Sequence, residues 1–177
     1  DAANKLTLFG KIAHHSNGQD GNFYTDDGKV NLQSGNFATN YLELGFLQSS
    51  YSQNLKAFKF IKSSFEIHPK SWMLEELQGQ YSGLRWHNTF LAYKLPMKTN
   101  PLPNEKQRAN FSIKAETTIM LDNFNNWNYF DAKRLNASLI LYYHPKFLED
   151  IGFFVQFYHG MDYYNIYFQH QISSIRF

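Results

Sequence analysis

The residues with chemistry to offer lie close together near the start of the chain: His14 and Ser16, two apart in the stretch AHHSNGQDG (13–21), and Asn40 beyond a polar loop. A serine hydroxyl attacks a carbonyl only when a base takes its proton, and residues i and i+2 on a strand share a face within side-chain reach. On a strand, His14 is therefore the base for Ser16, and His15 points the other way. The imidazole must keep its second proton on the far nitrogen, and an amide oxygen accepting that N–H fixes its tautomer and ring orientation. Asn40 suits this role: a hairpin closed around residues 17–37, with Ser16 opposite Ala38, puts His14 opposite Asn40 with Cβ atoms about 5 Å apart. Where such a site borders hydrocarbon, a neutral amide avoids the desolvation cost of a carboxylate, though it stabilises the imidazolium less well.

That placement depends on strands, and the clearest period in the chain is two. Ala109, Phe111, Ile113, Ala115, Thr117, Ile119 and Leu121 alternate with Asn110, Ser112, Lys114, Glu116, Thr118 and Met120, giving one apolar and one wet face. Eight such segments are predicted, over 6–16, 38–50, 56–67, 77–94, 109–121, 129–143, 151–159 and 166–177. Turn signals separate them: Ser52-Gln53-Asn54, His68-Pro69-Lys70, Asp122-Asn123, His144-Pro145-Lys146 and Gly160-Met161-Asp162. In the first segment the apolar side is even (Leu6, Leu8, Ile12), with Phe9 out of pattern, so His14 and Ser16 continue the apolar side. In the third, apolar parity switches between Phe58/Phe60 and Phe65/Ile67, which implies a bulge or a misplaced strand boundary.

Composition chooses among all-β classes. A net charge of +2 without basic runs excludes a nucleic-acid surface, and no segment approaches the roughly 20 apolar residues of a transmembrane helix. With no Cys, disulfides, zinc–thiolate sites and thiol nucleophiles are out. Aromatic residues make up 18% of the chain, with 17 Phe and 12 Tyr, and they crowd toward strand ends. A transmembrane barrel alternates lipid-facing and lumen-facing residues between aromatic girdles, so its mean hydropathy resembles that of a soluble protein. This favours an antiparallel transmembrane β-barrel over a β-sandwich or lipocalin-like barrel, whose apolar face points inward. Trp72, Trp86 and Trp127 are expected in the girdle, and Asp131, Lys133 and Arg134 at the lumen or rim. His15 is expected to line the lumen; His68 and His144, each before Pro, to be turn residues; His87, His159 and His170 to be structural. If the last strand ends at the periplasm, parity sends the first strand outward and makes 17–37 an extracellular loop, the longest one. Residues 95–107, with three prolines, are then an unusually long periplasmic connection.

At this point the residues resemble the outer membrane phospholipases A of Gram-negative bacteria. That family's strand-end signature, His-x-Ser-Asn-Gly followed by an Asn on the next strand, is matched by His14-His15-Ser16-Asn17-Gly18 and Asn40. The chain end is also similar, from Tyr143 to the terminal Phe177, with its Gly followed by a Tyr-Asn pair; the middle, about 55–130, matches only in strand pattern. The resemblance implies Ser16 as nucleophile, His14 as general base and Asn40 as the orienting residue. It implies that the backbone N–H of Gly18 helps form the oxyanion hole, and that the Gln19 carbonyl binds a catalytic calcium ion. The 17–37 loop is longer than in the family, and Asp20, Asp26 and Asp27 are candidate further oxygen ligands.

The resemblance further implies a twelve-stranded barrel, so four more strands are expected before the eight read here; a compact eight-stranded relative is the alternative. The expected function is a calcium-dependent phospholipase A in the bacterial outer membrane. It would cleave acyl esters of membrane phospholipids and be active as a homodimer across the lipid-facing wall. The competing expectations are an inactive barrel of the same ancestry, serving as a structural subunit of a larger outer-membrane complex, and a small channel.

Overall fold

The computed structural model describes residues 4–16, 24–29, 38–52, 54, 57–96, 110–145, 151–161 and 171–177. These form eight strands: β1 Lys5–Ser16, β2 Ala38–Ser52, β3 Ala57–Ile67, β4 Leu84–Pro96, β5 Asn110–Met120, β6 Leu135–His144, β7 Phe153–Met161 and β8 Gln171–Arg176. They make one antiparallel sheet in sequence order, each strand paired with the next. Among the described residues β1 and β8 do not pair, so the described sheet is all-β and antiparallel and is not closed into a barrel.

Alternation sorts the side chains as expected from the period of two. Leu8, Leu44, Phe65, Trp86 and Phe157 all lie on one face, linked by the pairings of Leu44 with Phe65 and Phe65 with Trp86, and all are exposed, Leu8 to 78%. The opposite face is polar and more enclosed: Glu43, Ser64, Glu66 and Ser112 are buried there. This inverts the usual soluble arrangement, in which buried side chains are apolar and buried charges need partners. The partners are present. Glu43 bridges Lys11 and Lys62, each at 2.7 Å, and accepts a hydrogen bond from Ser64 Oγ. Gly45 lies where β2 presses on β3, since a Cβ there would sit 2.4 Å from the Ser63 carbonyl oxygen.

Phe9 lies on the polar face, with the Lys62 ammonium 4.9 Å from its ring centre, a cation–π contact that explains its break in parity. The bulge expected in the third strand is absent: β3 pairs without interruption to both neighbours. Its parity switch arises because Phe58 and Phe60 take the polar face near one end, where Phe58 meets the Tyr51 ring at 5.0 Å, while Phe65 and Ile67 take the apolar face. The irregularity is in β4, between Ala92 and Leu95, where Lys94 has φ 57° and its N–H reaches Ser112 Oγ.

Two strands begin later than expected because connecting segments fold on themselves. Residues 68–83 form a loop with two short 3₁₀ turns, Lys70–Trp72 and Glu75–Leu77, around buried Leu77 and Tyr81. Residues 121–134 pack Phe124 against Met120, Met161 and Trp127, so Trp127 belongs to a small core rather than to a girdle. Arg134, expected as a lumen or rim charge, is 2% exposed. Its guanidinium donates to the carbonyls of Met120, Asp122, Trp127 and Asn128, which holds the segment before β6 in a tight turn. The two loops are joined where the Gly83 N–H donates to Asp122 and the Asn125 N–H donates to the Gly79 carbonyl.

Candidate active site

The register of the first hairpin is the one the alternation requires. Ser16 pairs with Ala38, His15 with Thr39 and His14 with Asn40. Directly opposed residues of an antiparallel pair share a face, so His14, Ser16 and Asn40 emerge together on the apolar face at one end of the sheet, above Ile12 and Leu42. All three are exposed. His14 Nδ1 lies 2.9 Å from Asn40 Oδ1. With the amide oxygen accepting, the ring proton sits on Nδ1 and Nε2 carries the lone pair, the state a general base needs. Among the described residues His14 makes this hydrogen bond and none to Ser16. The hydroxyl is two residues along the same face, and apo catalytic bonds often close only around substrate.

Gly18 and Gln19, expected to supply the oxyanion hole and the calcium carbonyl, lie outside the described residues, as does Asp20. Asp27 is committed elsewhere: it is paired with Lys29 at 2.6 Å and takes a hydrogen bond from Thr25, and the Lys29 bond, followed by that of Thr25, holds its carboxyl below the usual range. No group of three His, Asp or Glu side chains comes together among the described residues in a way that could hold a metal ion. The residues expected to hold calcium thus lie outside the described part of the chain.

Behind the trio, on the polar face, lies a cluster around His68, a residue expected in a turn. His68 is buried, with Nδ1 2.9 Å from Thr39 Oγ1 and Nε2 2.7 Å from Glu66 Oε1. Glu66 is also approached by His87 Nε2 at 3.2 Å and by Arg85 at 3.6 Å, and Arg85 lies 3.7 Å over the Tyr81 ring. Burial pushes the His68 imidazole below its ordinary pKa, so the ring is neutral with Nε2–H donating to Glu66 and Nδ1 accepting from the Thr39 hydroxyl. Burial likewise pushes the Tyr81 hydroxyl up to about 12. The signal was available: Glu66 and His68 are two apart on a strand end and so share a face. His15 faces this side, as expected for a residue pairing with Thr39.

Of the remaining histidines, His87 is bonded to Thr118 Oγ1 at 2.8 Å and His159 to Ser173 Oγ at 2.8 Å, both cross-strand partners. The chain matches no protein-family model, no curated protein and no solved structure.

Proposed function

We propose that this chain is the catalytic wall of an outer membrane phospholipase A. The observation that carries the reading is the His14–Asn40 hydrogen bond, held by strand register beside Ser16 on a face of exposed apolar side chains. A face of that kind belongs in hydrocarbon, with the charged face turned to a lumen. Both open sheet edges must then be satisfied, because an unpaired strand edge is not tolerated in lipid. Further strands between β8 and β1, completing twelve, do this, and so does direct β1–β8 closure.

The reaction follows from the three side chains. Ser16 Oγ attacks the carbonyl carbon of a phospholipid acyl ester while its proton passes to His14 Nε2, and Asn40 Oδ1 holds the Nδ1–H of the imidazolium. The tetrahedral intermediate collapses as His14 returns the proton to the departing glycerol oxygen, leaving acyl-Ser16 and a lysophospholipid. Water, deprotonated by the same His14, then releases the fatty acid. Gly18 N–H is the proposed oxyanion donor and the Gln19 carbonyl a proposed calcium ligand, in a homodimer that apposes two such walls in the bacterial outer membrane.

The paired charges of the polar face, Lys11–Glu43–Lys62 and Glu66–Arg85, favour a structural interior over a conducting one. The catalytically inactive subunit remains the second reading, favoured by the missing bond between His14 and Ser16. A fluorophosphonate serine reagent, applied in phospholipid–detergent micelles with calcium and with chelator, decides between them. Labelling that maps to Ser16, needs calcium and is lost in Ser16→Ala together with phospholipid hydrolysis is expected. An unlabelled chain, or full turnover in Ser16→Ala, overturns the hydrolase.

A further inference from the structure

β2 outruns its neighbour. β3 ends at Ile67, opposite Leu42, so the first residues of β2, 38–41, which include Asn40, have no β3 residue beside them. The 68–83 loop takes over that edge: the Leu74 N–H donates to the Ala38 carbonyl at 3.3 Å, and Thr39 bridges to Met73. Asn40 is thus preceded by two residues held by the 68–83 loop on the side away from β1, while β1 holds the other side through the pairing of His14 with Asn40 and Ser16 with Ala38. Thr39 is 1% exposed, and its hydroxyl is tied through His68 to Glu66. Glu66 is in turn fixed on β3 and approached by Arg85 and His87 from β4.

Successive strand residues point to opposite faces, so anchoring Thr39 inward sets the backbone twist that aims Asn40 outward. A free strand end would let the amide drift from His14 Nδ1, and small misplacements of a positioned group cost large factors in rate. We propose that the Thr39–His68–Glu66 chain is a positioning device for Asn40, acting from the polar face on chemistry performed at the apolar face. None of the three touches substrate. The inference rests on the hydrolase reading.

The test is a double-mutant cycle in micelles. Thr39→Val, which keeps the shape of the side chain and removes its hydroxyl, is expected to lower kcat about five- to tenfold with KM unchanged, and Thr39→Ser to restore it. The rate of Ser16 labelling by a fluorophosphonate should fall by the same factor. In an Asn40→Leu background, Thr39→Val should have no further effect, because the group it positions is gone. A merely structural role would lower both backgrounds equally. Should Thr39→Val not insert, His68→Gln enters the same cycle. An unchanged kcat, or an equal loss in the two backgrounds, overturns the positioning role. Absence of Ser16 labelling in the unsubstituted protein overturns the hydrolase reading instead.

Discussion

Removing the Asn40 amide reads the proposed mechanism most directly, because its contact with His14 is the proposed catalytic interaction that the described residues already make. Asn40→Leu deletes the acceptor 2.9 Å from Nδ1 and keeps a side chain of similar size on a face whose neighbour, Leu42, is already apolar. The loss is that of a hydrogen bond to a ring that becomes cationic in the transition state, and such bonds contribute roughly 1.5–3 kcal/mol. At about 1.4 kcal/mol per factor of ten, this corresponds to a fall in kcat of roughly 10- to 150-fold. The trio is exposed at the end of the sheet, where solvent competes for the imidazolium, which places the expectation toward the lower end. Asn40→Asp is expected to retain most activity, since a carboxylate oxygen accepts the same N–H. Initial rates on a phospholipid in mixed micelles, with heat-modifiable gel mobility as the check of folding, measure both variants. If Asn40→Leu turns over within twofold of the parent while Ser16→Ala is dead, Asn40 does not orient His14 and the assigned triad is wrong.

Three further outcomes follow from the structure. Arg134→Met strands the carbonyls of Met120, Asp122, Trp127 and Asn128 and should cost roughly 3 kcal/mol or more, with faster protease cleavage within 121–134; unchanged proteolysis would show that the turn holds without the guanidinium. Leu44→Arg, on the apolar face, should destabilise the protein in vesicles by about 2–4 kcal/mol in urea titrations, against little effect for Ser49→Arg on the polar face; equal effects would argue against a lipid-facing wall. His68 is neutral in its buried site, facing Glu66, Arg85, Asp122, His15, Tyr41 and Tyr81. Its pKa is depressed below 6.5, so an opened loop binds a proton that the packed loop does not. Loop stability is therefore complete above that value and declines as pH falls below it. Protease sensitivity of residues 68–83 should rise between about pH 8 and pH 5, and His68→Gln should flatten the profile; an identical profile in the variant would assign the change to another group.

Strand period carried most of the architecture. A period of two survives as long as one face is uniformly apolar, and β1, β2, β5 and β7 were legible within a residue or two on that basis. It misled where a segment's apolar residues pack within a loop. Leu77 and Tyr81, also of even spacing, read as the start of a strand but form the core of the 68–83 loop, and Gly79, at φ 82°, turns the chain there. The turn before β6 was hidden for a similar reason. Arg134 looks like a surface charge in sequence, and nothing local signals that its guanidinium will meet carbonyls contributed by residues as distant as Met120.

For the site, a spacing of two and one cross-strand register were enough to bring His14 and Asn40 together, because both are consequences of the pleat and need no long-range information. Of the Thr39–His68–Glu66 chain only the Glu66–His68 pair had a local signal; its tie to Thr39 did not, since the loop that carries His68 back to β2 has no periodic signal. Yet the two clusters are products of the same alternation. Every residue at the end of this hairpin that points to the apolar face has a neighbour pointing to the polar face: His14 beside His15, Asn40 beside Thr39. A reactive group on the outside of a one-layer sheet has no second layer to lean on, so its rigidity must come from the opposite face of its own strand. The buried polar cluster meets that need at the one place where β2 extends beyond β3, and the hydrolase reading and the positioning inference are therefore tested by the same hairpin from its two sides.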